Sequence, residues 1–121
     1  MKITPKLANK TDLANVLSQN EGVLIIKFYA SWCGPCKKIE STVQKYFAQM
    51  PSTVFTAEVD IDNALDLYGF LKTKKVVNGI PVMLAYYKDN THYVPDDIVI
   101  GTDDVQIQGF FQRCVEESNN L

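Results

Sequence analysis

Two cysteines separated by two residues, in the run Trp32-Cys33-Gly34-Pro35-Cys36-Lys37, are the side chains of this sequence best suited to chemistry. The run follows an apolar, strand-like stretch from Val23 to Ala30. It opens a stretch in which Ile39, Val43, Tyr46, Phe47 and Met50 recur at helical spacing until Pro51 stops the pattern. Cys33 is therefore expected at or beside the N-cap of a helix of about four turns. Unpaired N–H groups and the positive helix end favour a thiolate there, and the thiolate is the attacking species in disulfide exchange. The spacing brings the second sulfur round one helical turn, and Pro35 is tolerated in the first turn because it lacks only a donor that is unpaired anyway. A disulfide between Cys33 and Cys36 can then close with little rearrangement. The chemistry this predicts is attack of Cys33 on a substrate disulfide, then attack of Cys36, held deeper in the helix, on the mixed disulfide. The competing reading is a zinc half-site completed by Cys114 and His92. A lone CxxC supplies two ligands where a structural zinc needs four, so no metal is expected.

The elements that must position these cysteines are legible around them. Val23 to Ala30 is nearly unbroken apolar and β-branched sequence, as in a strand covered on both faces, with Lys27 as its anomaly. Val54 to Ile61 returns to strand character, which predicts a right-handed strand, helix, strand crossover with a parallel pair. Asn63 to Leu71 reads as a short helix, followed by a loop marked by Lys72, Lys74, Lys75, Asn78 and Gly79. Beyond Pro81, two extended runs flank Lys88-Asp89-Asn90 and predict strands joined by a tight hairpin. A last helix carries Ile107, Phe110, Phe111, Cys114 and Val115 on one face, with Thr102, Asp103 and Asp104 at its start. Upstream, Thr11 or Asp12 is expected to cap a first helix bearing Leu13, Val16 and Leu17, after a weak strand around Ile3.

The bulk numbers agree with one folded domain spanning 1–121. The chain has 121 residues, 46% hydrophobic and 21% charged, which suits a packed core and excludes a disordered composition. A formal net charge of -2 gives no overall attraction to nucleic acid or to an anionic membrane, so neither is an expected partner. The longest apolar stretches are interrupted by Lys27 or by Asp and Gly, well short of a membrane span. The amino terminus lacks the apolar core of a signal peptide, and three cysteines are too few for a disulfide framework. A cytoplasmic, reducing setting is the expectation, and without secretion the sequon at Asn9-Lys10-Thr11 carries no meaning.

The run WCGPCK after a buried strand resembles the active site of the thioredoxin family, and the order of elements is similar from about residue 10 to 118. The resemblance implies the thioredoxin fold, an α/β architecture with a central mixed sheet of four to five strands flanked by helices on both faces. It implies that Gly79-Ile80-Pro81 is the cis-proline loop, with the Ile80-Pro81 bond cis beside the sulfurs and the Ile80 backbone pairing with an extended substrate segment. Gly101 matches the glycine of a third loop, and Trp32 the tryptophan flanking the nucleophile. Trp32, Gly34, Pro35, Ile80, Pro81 and Gly101 are thus the implied substrate-binding residues. Reduction of protein disulfides is the implied activity, with no cofactor. A reductase of the thioredoxin-reductase kind is the implied electron donor, and a monomer suits a single groove.

The departures from the family pattern are specific. Lys27 stands where thioredoxins usually carry a buried aspartate, six residues before the first cysteine, and Glu58 stands where the next strand commonly carries a lysine. We expect the two to form an ion pair beneath the CxxC loop, with Glu58, directly or through a water, accepting the Cys36 proton and Lys27 favouring the thiolate. The alternative is that Lys27 snorkels to solvent and Glu58 is a plain surface residue. Ser41 replaces a helix-kinking proline, which predicts a more regular helix, and Tyr29 replaces a common tryptophan. Cys114 reads as a buried apolar residue and His92 as an outer-loop side chain. Two further functions compete with reduction: a disulfide isomerase or oxidase, and a partner-binding module whose redox chemistry is incidental.

Overall fold

The computed structural model describes residues 5–121, so the strand expected around Ile3 lies outside the described residues. In chain order the elements are α1 (Lys10–Ser18), β1 (Val23–Tyr29), α2 (Gly34–Gln49), β2 (Val54–Asp60), a 3-10 turn (Ile61–Asn63), α3 (Leu65–Thr73), β3 (Val82–Tyr86), β4 (Asp97–Ile100) and α4 (Asp104–Asn119). The sheet order is β2-β1-β3-β4. β1 runs parallel to β2 and antiparallel to β3, and β3 runs antiparallel to β4. This is the thioredoxin fold, with four strands among the described residues and helices on both faces.

β1 lies at the centre because its sequence can be buried on both sides. Every residue from Val23 to Phe28 is buried, Lys27 included. The alternation of a strand sends Leu24, Ile26 and Phe28 to one face, against Leu13, Leu17, Leu67 and Leu71 of α1 and α3. Val23 and Ile25 point to the other, against Ile39, Val43 and Phe47 of α2 and Phe110, Phe111 and Cys114 of α4. Lys27 continues this second series, so its position in the strand sends it under α2.

Three details differ from the sequence expectation. The first helix is capped by Asn9, whose Oδ1 accepts the Asp12 N–H at 2.9 Å, and not by Thr11 or Asp12. Asp12 sits at the third helical position and reaches back past the cap, its Oδ2 accepting the Ala8 N–H at 2.9 Å, which ties the entering chain to the helix start. α3 begins only after the 3-10 turn and runs on to Thr73, which makes Lys72 helical.

The link between β3 and β4 is not a tight hairpin. A turn does form at Lys88-Asp89-Asn90, with Asp89 left-handed and the Asn90 N–H donating to Tyr87 O. The chain then makes a detour through 91–96, because the Tyr93 ring packs edge-on against Phe70 of α3 and its carbonyl accepts the Tyr86 hydroxyl. Asn90 and Asp96 side chains supply the remaining bonds that close the detour. α2 runs unbroken from Gly34 to Gln49, as the absence of proline at Ser41 predicts.

Candidate active site

Cys33 is the N-cap of α2. Its backbone is extended (φ -84°, ψ 107°), and its Sγ accepts the Cys36 N–H at 3.1 Å, using one of the donors a helix start leaves unpaired. Cys33 and Cys36 are joined as a disulfide, with their Cα atoms 5.3 Å apart. No acidic residue occupies the first turn of α2, so nothing there opposes negative charge on sulfur. Both cysteines are buried to the same degree, 4% and 3% exposed. Cys36 lies within the first turn of α2, deeper in the helix than the N-cap Cys33, as expected. Ala30, Tyr29, Ile61 and Ile80 pack around them.

The Gly79-Ile80-Pro81 loop is fixed from two sides. Tyr68 of α3 accepts the Gly79 N–H on its hydroxyl at 2.8 Å, and Gly101 donates its N–H to Pro81 O at 3.0 Å. The Ile80–Pro81 bond is cis, and Gly79 and Gly101 have φ of +129° and +88°. Those angles favour glycine. Between the two clamps, the Ile80 N–H and C=O make no backbone bond among the described residues. Trp32 is 64% exposed, and its indole N–H donates to Asp62 Oδ2 at 2.9 Å. Gly34 and Pro35 are exposed at the helix start, while Pro81 is buried.

Beneath the disulfide, Lys27 is 0% exposed and does not snorkel. Its Nζ lies 3.2 Å from Glu58 Oε1 and 2.6 Å from Glu40 Oε2. The register pairs Lys27 with Glu58 across β1 and β2, which puts both side chains under α2. Gln44 Nε2 donates to Glu40 Oε1 at 3.1 Å and to Glu58 Oε1 at 2.9 Å. Tyr29 completes the surroundings, with the Lys27 ammonium 5.3 Å from its ring centre. Tyr29, Ala30, Ser31, Cys36, Lys37, Glu40 and Glu58 line an open cleft of about 470 Å³. Cys36 therefore lines the same open cleft as both glutamates.

Glu40, Gln44, Asp62 and Tyr68 escaped the sequence reading. The first two had a usable signal, since Cys36, Glu40 and Gln44 are spaced by four residues along one row of α2. Asp62 and Tyr68 had none, because their contacts come from the 3-10 turn and a long-range approach. Cys114 and His92 do not join the cysteine pair. Cys114 is fully buried in the core under α4, where burial first and the Asp97 carboxylate second push its thiol up to about 12. His92 is exposed, stacked on Tyr93, with its Nδ1 accepting the Val94 N–H. Among the described residues no group of three or more His, Cys, Asp or Glu side chains is arranged to hold a metal.

A helix-capping disulfide beside a cis-proline loop on this mixed sheet defines the class of thioredoxin-fold dithiol–disulfide proteins. Comparison with known proteins agrees. The family model described as Thioredoxin matches residues 4–112. Mouse "Thioredoxin, mitochondrial" is 29% identical over 104 residues, which are 86% of this chain and 58% of that protein. Plasmodium falciparum "Thioredoxin 3" is 30% identical over 115 residues, 93% of this chain and 61% of that protein. The crystal structure of oxidised mitochondrial thioredoxin 3 from Saccharomyces cerevisiae superposes with a TM-score of 0.70 at 28% identity, covering 91% of this chain and 94% of that one. The chain belongs to the thioredoxin family. It spans less than two thirds of the length of these two curated relatives. No helix among the described residues is long and apolar enough to cross a membrane.

Proposed function

We propose that this chain is a protein-disulfide reductase working through the Cys33–Cys36 pair. The observation that carries the proposal is the placement of that disulfide at the N-terminus of α2, with the unpaired Ile80 backbone beside it. In the reduced form the Cys33 thiolate attacks a substrate disulfide, forming one mixed disulfide and releasing one substrate thiolate. Cys36 then loses its proton and attacks Cys33 Sγ. The Cys33–substrate bond breaks, the second substrate thiol leaves, and two electrons have passed from the dithiol to the substrate.

Trp32, Gly34, Pro35, Ile80, Pro81 and Gly101 form the surface that receives the substrate. An extended segment pairs with the Ile80 N–H and C=O by strand addition. Glu58, through water in the cleft, is the acceptor for the Cys36 proton, and the Lys27 charge favours the thiolate. Protein disulfides are the substrates and a reductase of the thioredoxin-reductase kind is the electron donor, with the chain acting as a monomer. The setting is the reducing cytoplasm. Because matched relatives carry the name mitochondrial, the mitochondrial matrix is the competing compartment, and fractionation of the native protein separates the two.

The test is reduction of insulin disulfides by the pure protein with dithiothreitol, with Cys33→Ser as control. The proposal expects acceleration that the substitution abolishes. A rate no greater than dithiothreitol alone rejects it. A reduction potential near the roughly -270 mV of thioredoxin separates reductase from oxidase or isomerase.

A further inference from the structure

Lys27 has two carboxylates, where the sequence pairing of β1 with β2 supplies only one. Its shorter contact is to Glu40, at 2.6 Å, against 3.2 Å to Glu58. Both Glu40 oxygens are engaged, Oε2 by Lys27 and Oε1 by Gln44. Glu58 differs, because Lys27 and Gln44 both donate to Oε1 and its Oε2 has no hydrogen-bond partner among the described residues.

The charge count gives this asymmetry a chemical meaning. A fully buried ammonium needs a counter-ion, since an uncompensated charge in that position is strongly unfavourable. In an isolated Lys27–Glu58 pair, a proton on Glu58 would remove the only countercharge. With Glu40 present the cluster carries one surplus negative charge. Glu58 can then take up a proton while Lys27 remains neutralised. We propose that Glu40, by holding Lys27 with Gln44 as a brace, is the positioning residue that frees Glu58 to accept the Cys36 proton. This rests on the reductase reading and assigns Glu40 a part in its second step. The proton passes from Cys36 Sγ through water in the shared cleft to Glu58 Oε2. The Cys36 thiolate forms the bond to Cys33, the substrate thiolate leaves, and the proton on Glu58 later returns to solvent.

Ellman's reagent separates the two steps in one trace. Attack by Cys33 on the reagent releases one equivalent of coloured thiolate, and attack by Cys36 on the mixed disulfide releases the second, while buried Cys114 stays silent. Glu58→Gln is expected to slow the second phase by about a hundredfold near neutral pH, with a rate that climbs as pH rises, and to leave the first phase intact. Glu40→Gln is expected to slow the second phase by about tenfold, because Glu58 becomes the sole counter-ion of Lys27. Adding Lys27→Met to Glu40→Gln releases Glu58 and is expected to bring the second phase back to within about threefold of the unsubstituted protein, the remaining loss being the Lys27 charge that favours the thiolate. An unchanged second phase in Glu40→Gln overturns the assignment. So does a double variant that does not recover while its first phase keeps its normal rate. Absence of the first phase in the unsubstituted protein overturns the reductase reading itself, and the assignment with it.

Discussion

The hydroxyl of Tyr68 accepts the Gly79 N–H at 2.8 Å, so α3 holds the backbone one residue before Ile80. Phe28 of β1 meets the same tyrosine ring edge-on, with centroids 5.8 Å apart, which fixes the ring from below. Tyr68→Phe keeps the ring and removes only the hydroxyl. We expect a loss of about 1 kcal/mol in unfolding free energy and a rise of about threefold in KM for insulin with kcat nearly unchanged. Equal falls in kcat and kcat/KM would show instead that the bond acts in the chemical step.

The Trp32 indole is held by Asp62, and it is the chain's single tryptophan. Its fluorescence anisotropy therefore reports on that one bond. Asp62→Ala is expected to lower the anisotropy in the native state and to leave the first Ellman phase within about threefold of normal, since the hydrogen bond is exposed and modest. An anisotropy that does not change would mean that packing, not Asp62, orients the ring.

The Lys27 cluster makes an uneven stability prediction. Glu40→Gln or Glu58→Gln alone leaves one carboxylate for the ammonium and is expected to be tolerated. Both together leave buried Lys27 with none and are expected to cost about 3 kcal/mol, more than the two single losses combined. Lys27→Met, which removes the buried charge itself, is expected to stay within about 1 kcal/mol of the unsubstituted protein. Urea denaturation of the four variants tests this, and additive single losses would contradict the shared role. A matching cycle on turnover, Lys27→Ala with Glu58→Ala, tests the pair in function, where additive losses would also speak against it.

Cys114 contributes a pH dependence at the alkaline end. Burial pushes its thiol up to about 12, above the range of an unfolded cysteine near 8.5. Below the unfolded value both states hold the proton, and the contribution to stability is constant. As pH rises from there to about 12, the unfolded chain releases the proton first, so stability falls. Cys114→Ala is expected to lower the unfolding free energy at neutral pH by leaving a small cavity, and to show a shallower decline across that alkaline window. Parallel declines for the two proteins would remove Cys114 as a cause.

Gly22 is the least replaceable glycine at the start of β1. A Cβ there would run into the Thr53 carbonyl oxygen, which also accepts the Val23 N–H at 3.0 Å. The obstacle is backbone, so it cannot swing aside. Gly22→Ala is expected to destabilise the protein by about 2 kcal/mol, read as a lower midpoint in urea with an unchanged slope.

What the sequence made legible follows the range of the forces involved. Local pattern was enough for β1, α2 and α4, whose apolar residues have a clear period, and for the cysteine pair, whose chemistry needs only a helix start. It was enough to flag Lys27 as a charge in a strand that must be buried. It carried a cue for Glu40, one turn beyond Cys36 on α2, but that cue has no partner until β1 and β2 are placed beneath the helix. It misjudged the cap of α1, where Asn9, Thr11 and Asp12 all offer capping oxygens and only tertiary entry of the chain decides among them. The tight hairpin failed for a related reason. The residues after Asn90 read as one extended run, but the packing of Tyr93 on Phe70 determines the path from β3 to β4.

The position of β1 between β2 and β3 also sets a timetable for synthesis. Leu24 pairs with Phe55 on one side and with Tyr86 on the other. Synthesis from the amino end makes both cysteines, and then the whole strand, helix, strand unit, before it reaches Ile80 or the strand that follows. Until β3 docks, β1 has an open border on that side and the thiols lack the Ile80 loop. Docking of β3 supplies in one event the missing neighbour of β1 and the cover for the cysteine pair, while the opposite face of the core still awaits α4.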